Sequence, residues 1–143
     1  MVGSKIHNEY YPDRYYCHDA EDPEGMVNLG MTDHHEPVNI NRRCVESDLV
    51  IYVNVMLVPM DGGHKSVPVG LATYRCVSHH HNAHMLLHDS SYMDPPNSAF
   101  HRSCERMGEV VAKHVKVFTI ETTLNGDRLP DRPAWTAPFL VIE

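Results

Sequence analysis

Alternating and continuous apolar stretches along this chain predict a small number of strands. The clearest is residues 48–56, a nearly all-apolar stretch rich in β-branched side chains, which predicts a strand covered on both faces. Residues 115–121 predict a second strand by composition, and residues 37–41 alternate apolar and polar positions as a short strand does. The tail, residues 138–143, predicts the beginning of another strand.

Helical periodicity separates the two long strands. Ser98 is a suitable N-cap for a helix whose apolar face repeats at steps of three and four residues, through Phe100, Cys104, Met107, Val111 and His114. Residues 42–47 predict a helical turn, whereas residues 1–37 carry turn-forming clusters and predict irregular structure. Strand, helix and strand in this order predict an α/β fold with parallel pairing, a single partial domain over residues 1–143.

Composition narrows the function classes. The chain has 143 residues and a net charge of -7, which argues against a nucleic-acid partner because no basic patch offsets it. No signal peptide or membrane-spanning apolar stretch is visible, and the four cysteines do not fall at zinc-site spacing, so we expect a reducing cytoplasm and no membrane partner. The unusual feature is the twelve histidines, of which one or two could be metal ligands.

The segment that follows the long strand contains the residue types best suited to bind a ligand. Gly62 and Gly63 let the backbone turn and approach a ligand closely, and Lys65 beside them can carry charge or act as an amine nucleophile. Ligands of open α/β sheets bind beyond the carboxyl ends of the strands, where backbone amides near Ser66 would favour a phosphate. The alternative is an ordinary tight turn with a solvated lysine. Asp61 could orient His64 or Lys65.

A histidine run, residues 79–81, lies downstream of this motif. Consecutive side chains cannot all face one metal ion, so at most two of these could share it. A continuous helix from Lys65 to His81 would separate them by roughly 24 Å, at about 1.5 Å per residue. If both touch one small cofactor, the chain must turn back between them, and Pro68 and Gly70 allow such a turn.

Several segments together resemble the lactate racemase family, whose members use a nickel-pincer nucleotide. The likeness covers about residues 19–126, and the glycine-glycine-x-lysine-serine element with its spaced histidine is its most specific part. The segments that carry it are residues 28–32, 37–42, 46–51 and 62–66, His81 with Asn82, the helix near residues 97–111 and the strand 117–124.

This resemblance implies roles for individual residues. Lys65 would tether the pincer cofactor through a thioamide, with Gly62, Gly63 and Ser66 at the same site, and His81 would be the imidazole ligand to nickel. Sulfur and carbon donors with one imidazole in a square-planar set suit Ni(II). The implied activity is racemisation or epimerisation of a 2-hydroxy acid by reversible hydride transfer, with cofactor-making proteins as transient partners.

The chain departs from the family pattern in its catalytic groups. The loop before the glycine pair, residues 57–61, has no histidine where the family has one, so Asp61 or His64 would have to substitute. The family's earlier segment and second, substrate-closing domain have no counterpart here, so the chain is either a fragment or a degenerate relative, and we expect an incomplete fragment of a two-domain protein. A catalytically incomplete cofactor- or metal-binding fragment is therefore the alternative. A zinc hydrolase using residues 79–81 ranks last, since no His-Glu-x-x-His motif is present.

Overall fold

The fold is seen in a computed structural model that describes residues 3–56, 66–88, 94–123 and 139–142. Five strands, six α-helices and a 3₁₀ helix lie within these residues. In chain order they are α1 (Ser4–Tyr10), β1 (Met26–Met31), β2 (Pro37–Asn41), α2 (Arg42–Val45), β3 (Val50–Met56), α3 (Ser66–Gly70), α4 (Tyr74–Ser78), α5 (Ala83–His88), the 3₁₀ helix (Pro95–Asn97), α6 (Ala99–Ala112), β4 (Val117–Thr123) and β5 (Phe139–Ile142).

Two sheets organise the strands. β3 and β4 pair in parallel, with Ile51 opposite Phe118 and Val53 opposite Ile120, and β5 adds to β4 in antiparallel orientation. A parallel pair needs a long crossover, which here runs through the helices from α3 to α6. The mixed α/β fold with a parallel strand pair is thus confirmed. β1 and β2 form a separate antiparallel pair with an irregularity after Asn28.

The core lies between β2 and the helices. Val38 and Ile40 of β2 pack with Met107 and Val111 of α6, and Cys76 of α4 completes the contact between them. Ser98 caps α6 as predicted, because its hydroxyl accepts the backbone N–H of His101 at 3.3 Å. The rest of the buried cluster consists of Cys44, Val67, Ala72, Val110 and Val115.

The strand prediction for β3 was right in type and wrong in its surroundings. Val50 and Tyr52 pack against the core, but Ile51 and Val53 on the opposite face are 59% and 67% exposed. Among the residues described, the helices cover one face of this sheet. The apolar run therefore marks a strand whose second face is bare in the described part of the chain.

Two further predictions are corrected. Residues 1–37 are less irregular than expected, since they contain α1 and β1. α1 buries none of its residues, and a stack of His7 on Tyr11 at 4.8 Å lies at its end, which hydrophobic periodicity does not report. His114 does not belong to the α6 face, because the helix ends at Ala112 and His114 is exposed.

Candidate functional site

The glycine–lysine segment connects the carboxyl end of β3 to α3. β3 ends at Met56 and α3 begins at Ser66. The intervening residues 57–65 lie outside the described part of the structure, so the predictions for Asp61, Gly62, Gly63, His64 and Lys65 are not tested. The residues at the two ends of the segment, Met56 and Ser66, are described.

Ser66, next in sequence to Lys65, is the one predicted cofactor-contacting residue at this end that the structure describes. It is buried, with 7% of its surface exposed, and the residues after it, Val67 and Pro68, are buried as well. Its Oγ has no hydrogen-bond partner among the described residues. Since a buried hydroxyl normally finds a partner, this atom is available to a group that enters the site.

α3 ends against β3 at a point of very close approach. A Cβ added to Gly70 would lie 2.5 Å from the hydroxyl oxygen of Tyr52, so this position has room for glycine alone unless the tyrosine moves. Burial raises the pKa of the Tyr52 phenol, which therefore remains protonated at neutral pH. The absence of a side chain at Gly70 therefore lets α3 approach the strand that leads into the glycine–lysine segment.

The chain turns between α3 and α4. Leu71 accepts the backbone N–H of Asn41 at 2.8 Å, and Thr73 donates to the carbonyl of Asn39 at 3.1 Å. These bonds attach the connection to β2, and Ala72 forms an isolated bridge with Ile40. Thr73 then caps α4 by accepting the N–H of Cys76 at 3.1 Å. A continuous helix over residues 66–81 is thereby excluded.

The three consecutive histidines point to three different environments. His79 places Nδ1 2.8 Å from the carbonyl of Arg75, within its own helix. His80 is completely buried, whereas His81 is exposed. The Nδ1 atoms of His80 and His81 lie 2.7 Å apart, a hydrogen-bond distance. The run therefore does not converge on one point, and a shared three-histidine metal site is not formed.

His80 is held by packing as well as by its polar contact. Its ring meets Phe100 edge to face at 5.5 Å, and His81 meets the same phenyl ring at 5.0 Å. Burial, and then the neighbouring imidazole of His81, lower the pKa of His80 to about 4. His80 is therefore neutral at pH 7, with one donor and one acceptor nitrogen. No local sequence pattern marks His80 as buried, because its neighbours are polar.

Asn82 fixes the chain immediately after the histidines. Its Oδ1 accepts the backbone N–H of Met85 at 3.0 Å and so caps α5. Its Nδ2 donates to the carbonyls of Ser78 and His79, both at 2.9 Å. The side chain thus joins the end of α4 to the start of α5, which accounts structurally for an asparagine beside His81.

A buried ion pair joins Glu36, the residue before β2, to Arg106 of α6. Arg106 of α6 binds Glu36 through Nε at 2.9 Å and Nη2 at 2.5 Å, and Thr32 and Ser103 donate to the same carboxylate at 2.6 and 2.7 Å. Burial would raise the pKa of Glu36, but the hydrogen bonds from Arg106, Thr32 and Ser103 outweigh it and lower the pKa. These residues are up to 70 positions apart in sequence, so no local sequence pattern predicts that they meet.

The other titratable groups near the site do not form a second reactive centre. Burial raises the pKa of the Cys76 thiol to about 11, so this cysteine is not a nucleophile at neutral pH. His18 bonds the Ala72 carbonyl through Nε2 and the Asn41 amide through Nδ1, each at 3.0 Å, which makes it a structural bridge. Within the described ranges, no three His, Cys, Asp or Glu side chains gather around a common point. None of the helices described has the length and hydropathy to cross a bilayer.

Comparisons with known proteins agree with this architecture. A family model of the lactate racemase N-terminal domain matches residues 1–94. The structure resembles the lactate racemase apoprotein from Thermoanaerobacterium thermosaccharolyticum, with 20% identity and a TM-score of 0.67 over 83% of this chain and 29% of that one. It also resembles a protein from Thermotoga maritima, with 17% identity and a TM-score of 0.70 over 100% of this chain and 39% of that one.

The structural comparisons cover only part of each solved protein. The chain spans 29% and 39% of the lengths of the two solved structures, and at 20% and 17% identity their likeness shows the fold. A sequence comparison with curated proteins gives no match. The family match covers the hairpin, β3, the glycine–lysine segment and the histidine run, and the structural matches extend the likeness toward the carboxyl end.

Proposed function

We propose, from the premise that this chain belongs to the lactate racemase N-terminal domain family, that it carries the cofactor-tethering part of a lactate racemase-like isomerase acting on a 2-hydroxy acid. The observation that supports this most is the imidazole of His81, held at the surface by a buried histidine. A single imidazole ligand of this kind is what a cofactor that brings its own sulfur and carbon donors requires.

The residues described fit a nickel-pincer nucleotide. The hydroxyl of Ser66, buried without a hydrogen-bond partner among the described residues, belongs to the residue that follows Lys65, the proposed tether, in sequence. His81 follows the turn at residues 71–73, so the described residues between the proposed tether and the proposed ligand do not form one continuous helix. A hydroxyl donor and one imidazole leave the remaining ligand positions to the cofactor itself.

Each residue of this chain has a defined part in the proposed site. Lys65 would hold the nucleotide covalently, Ser66 would donate to it, and Gly62 and Gly63 would let the backbone approach it. When bound, the cofactor supplies reversible hydride acceptance at the α-carbon of the hydroxy acid. The proton of the substrate hydroxyl then needs a nearby base, for which Asp61 and His64 are our candidates.

The test of the tether is the intact mass of the full chain, produced with and without the cofactor-making proteins. We expect an added mass located on Lys65, together with bound nickel, only when those proteins are present. Lys65→Arg retains the charge but cannot form a thioamide, so it should abolish the addition. Lys116→Arg, a change at an exposed lysine, is the matched control and should leave it intact. An unmodified Lys65 without nickel in the co-producing host would refute the proposal.

A second candidate is a chain that holds the cofactor or metal without turning over substrate. The observation that favours it is the segment 57–61, which has no histidine before the glycine pair. A racemisation assay of the loaded chain with a chiral 2-hydroxy acid separates the two functions. Turnover that disappears in Asp61→Asn or His64→Gln supports the enzyme, and a loaded chain with no turnover supports the binding role.

The compartment of the protein follows from the same proposal. All four cysteines are free thiols, and three of them are buried. Free thiols persist where the medium is reducing, which suits a cytoplasmic enzyme supplied with its cofactor by other cytoplasmic proteins.

A further inference from the structure

The imidazoles of this region are arranged around the phenyl ring of Phe100 in α6. The centroid of this ring lies 5.5 Å from that of His80, 5.0 Å from that of His81 and 5.3 Å from that of His101, with interplanar angles of 72°, 84° and 85°. These are edge-to-face contacts. We propose that Phe100 is a positioning residue for His81, because its buried ring selects one side-chain orientation of the exposed imidazole. This inference rests on the proposed function, in which His81 is the protein ligand to nickel.

Phe100 is itself held by its place in the fold. It is 3% exposed and lies in the first turn of α6, a helix of 14 residues. Ser98, which is fully buried, caps that turn by accepting the backbone N–H of His101. A ring packed into the interior at the start of a capped helix cannot move aside for its neighbours, so it presents a fixed surface to them.

The backbone of His81 is also fixed, whereas its ring lies at the surface. The N–H of His81 donates to the carbonyl of Val77 at 2.9 Å, and the next residue, Asn82, bonds two carbonyls of α4 and its cap. The side-chain torsions of His81 are therefore the freedom on which its orientation depends.

Phe100 acts on these torsions directly and through a second ring. The phenyl ring contacts His81 itself at 5.0 Å. It also packs against His80, whose Nδ1 lies 2.7 Å from Nδ1 of His81 and whose side chain has no exposed surface. Both contacts place the imidazole of His81 against rings that burial keeps in place.

An edge-to-face ring pair is strong enough to favour the rotamer that forms it by about 2- to 10-fold over rotamers that do not. A ligand side chain that already has its bound orientation loses less rotamer freedom when the metal binds. Sites whose side chains are locked by packing in this way keep the geometry that binding needs. Removing the phenyl ring should therefore weaken metal binding at His81 by about 2- to 10-fold.

The test measures the side-chain rotamer of His81 in the full chain without cofactor. Three-bond couplings to Cγ report its χ1 torsion, and nuclear Overhauser effects between the two rings report the contact with Phe100. We expect one dominant rotamer and ring-to-ring effects in the native protein. Phe100→Leu should let the rotamers average, whereas Phe100→Tyr retains the ring and should preserve the native rotamer.

Val111→Ala is the matched control, since Val111 is a buried residue of the same helix, eleven positions beyond Phe100. It should destabilise the core and leave the rotamer of His81 unchanged. A purely structural role of Phe100 would make the two core variants alike, so equal averaging in Phe100→Leu and Val111→Ala would overturn the proposal.

Three other results would also overturn it. These are averaged rotamers or no contact between the two rings in the native protein, an unchanged rotamer in a folded Phe100→Leu variant, and equal averaging in folded Phe100→Tyr and Phe100→Leu. If Phe100→Leu does not fold, the native couplings and ring contacts decide, because they need no variant.

A second arm uses the chain loaded with cofactor, where nickel retention through gel filtration should be about 2- to 10-fold weaker in Phe100→Leu than in Val111→Ala. The rotamer measurement needs no cofactor, so the two proposals fail separately. An unmodified Lys65 together with a single rotamer that depends on Phe100 refutes the function and leaves the orientation of His81 standing. A modified Lys65 with averaged rotamers of His81 refutes the positioning role and leaves the tether standing.

Discussion

Arg106→Met should destabilise the fold by about 3 kcal/mol, because it leaves Glu36 ionised and buried without its counter-charge. Glu36 has 6% of its side-chain surface exposed and receives two hydrogen bonds from the guanidinium. Removing one partner of a buried pair costs about 3–5 kcal/mol, and Arg106 is itself 21% exposed, so the lower end applies. Thr32 and Ser103 retain their bonds and do not replace the charge.

The direction in which pH changes the stability loss of Arg106→Met follows from the pKa of Glu36. In the native protein the pKa of Glu36 is lowered from 4.5, so the carboxylate contributes stability above that pH and loses it as the pH falls through the folded pKa. Without Arg106, the described side chains that still bond the Glu36 carboxylate are the hydroxyls of Thr32 and Ser103. These oppose the effect of burial less strongly, so the pKa of Glu36 in the folded variant should rise. The penalty of the variant should therefore be largest near pH 7 and shrink toward pH 4.

The assay is urea unfolding followed by far-UV circular dichroism at pH 7 and pH 4, with Arg102→Met as the matched control. Arg102 lies on the same helix and is exposed, with a 3.5 Å contact to the Pro96 carbonyl, so its loss should cost less than about 0.5 kcal/mol. Equal penalties for the two variants, or a penalty for Arg106→Met that does not shrink at low pH, would refute this account of the ion pair.

Two other outcomes follow from close packing. Gly70→Ala should lower the free energy of unfolding in urea by about 1–3 kcal/mol, because its Cβ meets the Tyr52 hydroxyl. Adding Tyr52→Phe should restore most of this loss, and a double variant in which the two penalties simply add would contradict the clash. Iodoacetamide should modify the native protein once by intact mass, at exposed Cys17, and the urea-unfolded protein four times; rapid labelling of Cys76 would contradict the raised thiol pKa.

Much of the fold could be predicted because its signals are local. The β-branched run became β3, the alternating stretch became β2, and the three- and four-residue spacing became α6 behind its Ser98 cap. Parallel pairing followed from strand, helix, strand order. β1 was missed because its strand state depends on pairing with β2 rather than on its own pattern.

The ion pair shows where local information ends. Glu36 precedes a strand and Arg106 follows the exposed Glu105 on α6, so each residue alone has the sequence context of a solvated side chain. Their bond joins positions 70 residues apart, and nothing in either neighbourhood indicates the other. The sequence holds one weak indication of this cluster: Ser103 and Arg106 are three residues apart, a spacing that places both on one face of α6.

The histidine run illustrates a different limit. Its residue types suggested metal binding, whereas in the structure the three rings differ in how deeply they are buried. Sequence spacing established that three consecutive imidazoles cannot share one metal, and the structure agrees, with His79 bonded to its own helix. Spacing could not identify which ring faces the core. That choice depends on Phe100, nineteen residues beyond His81, which packs against both His80 and His81. One imidazole of the run is therefore part of the core and the next is exposed, a difference that depends on contacts between distant residues rather than on residue type or spacing.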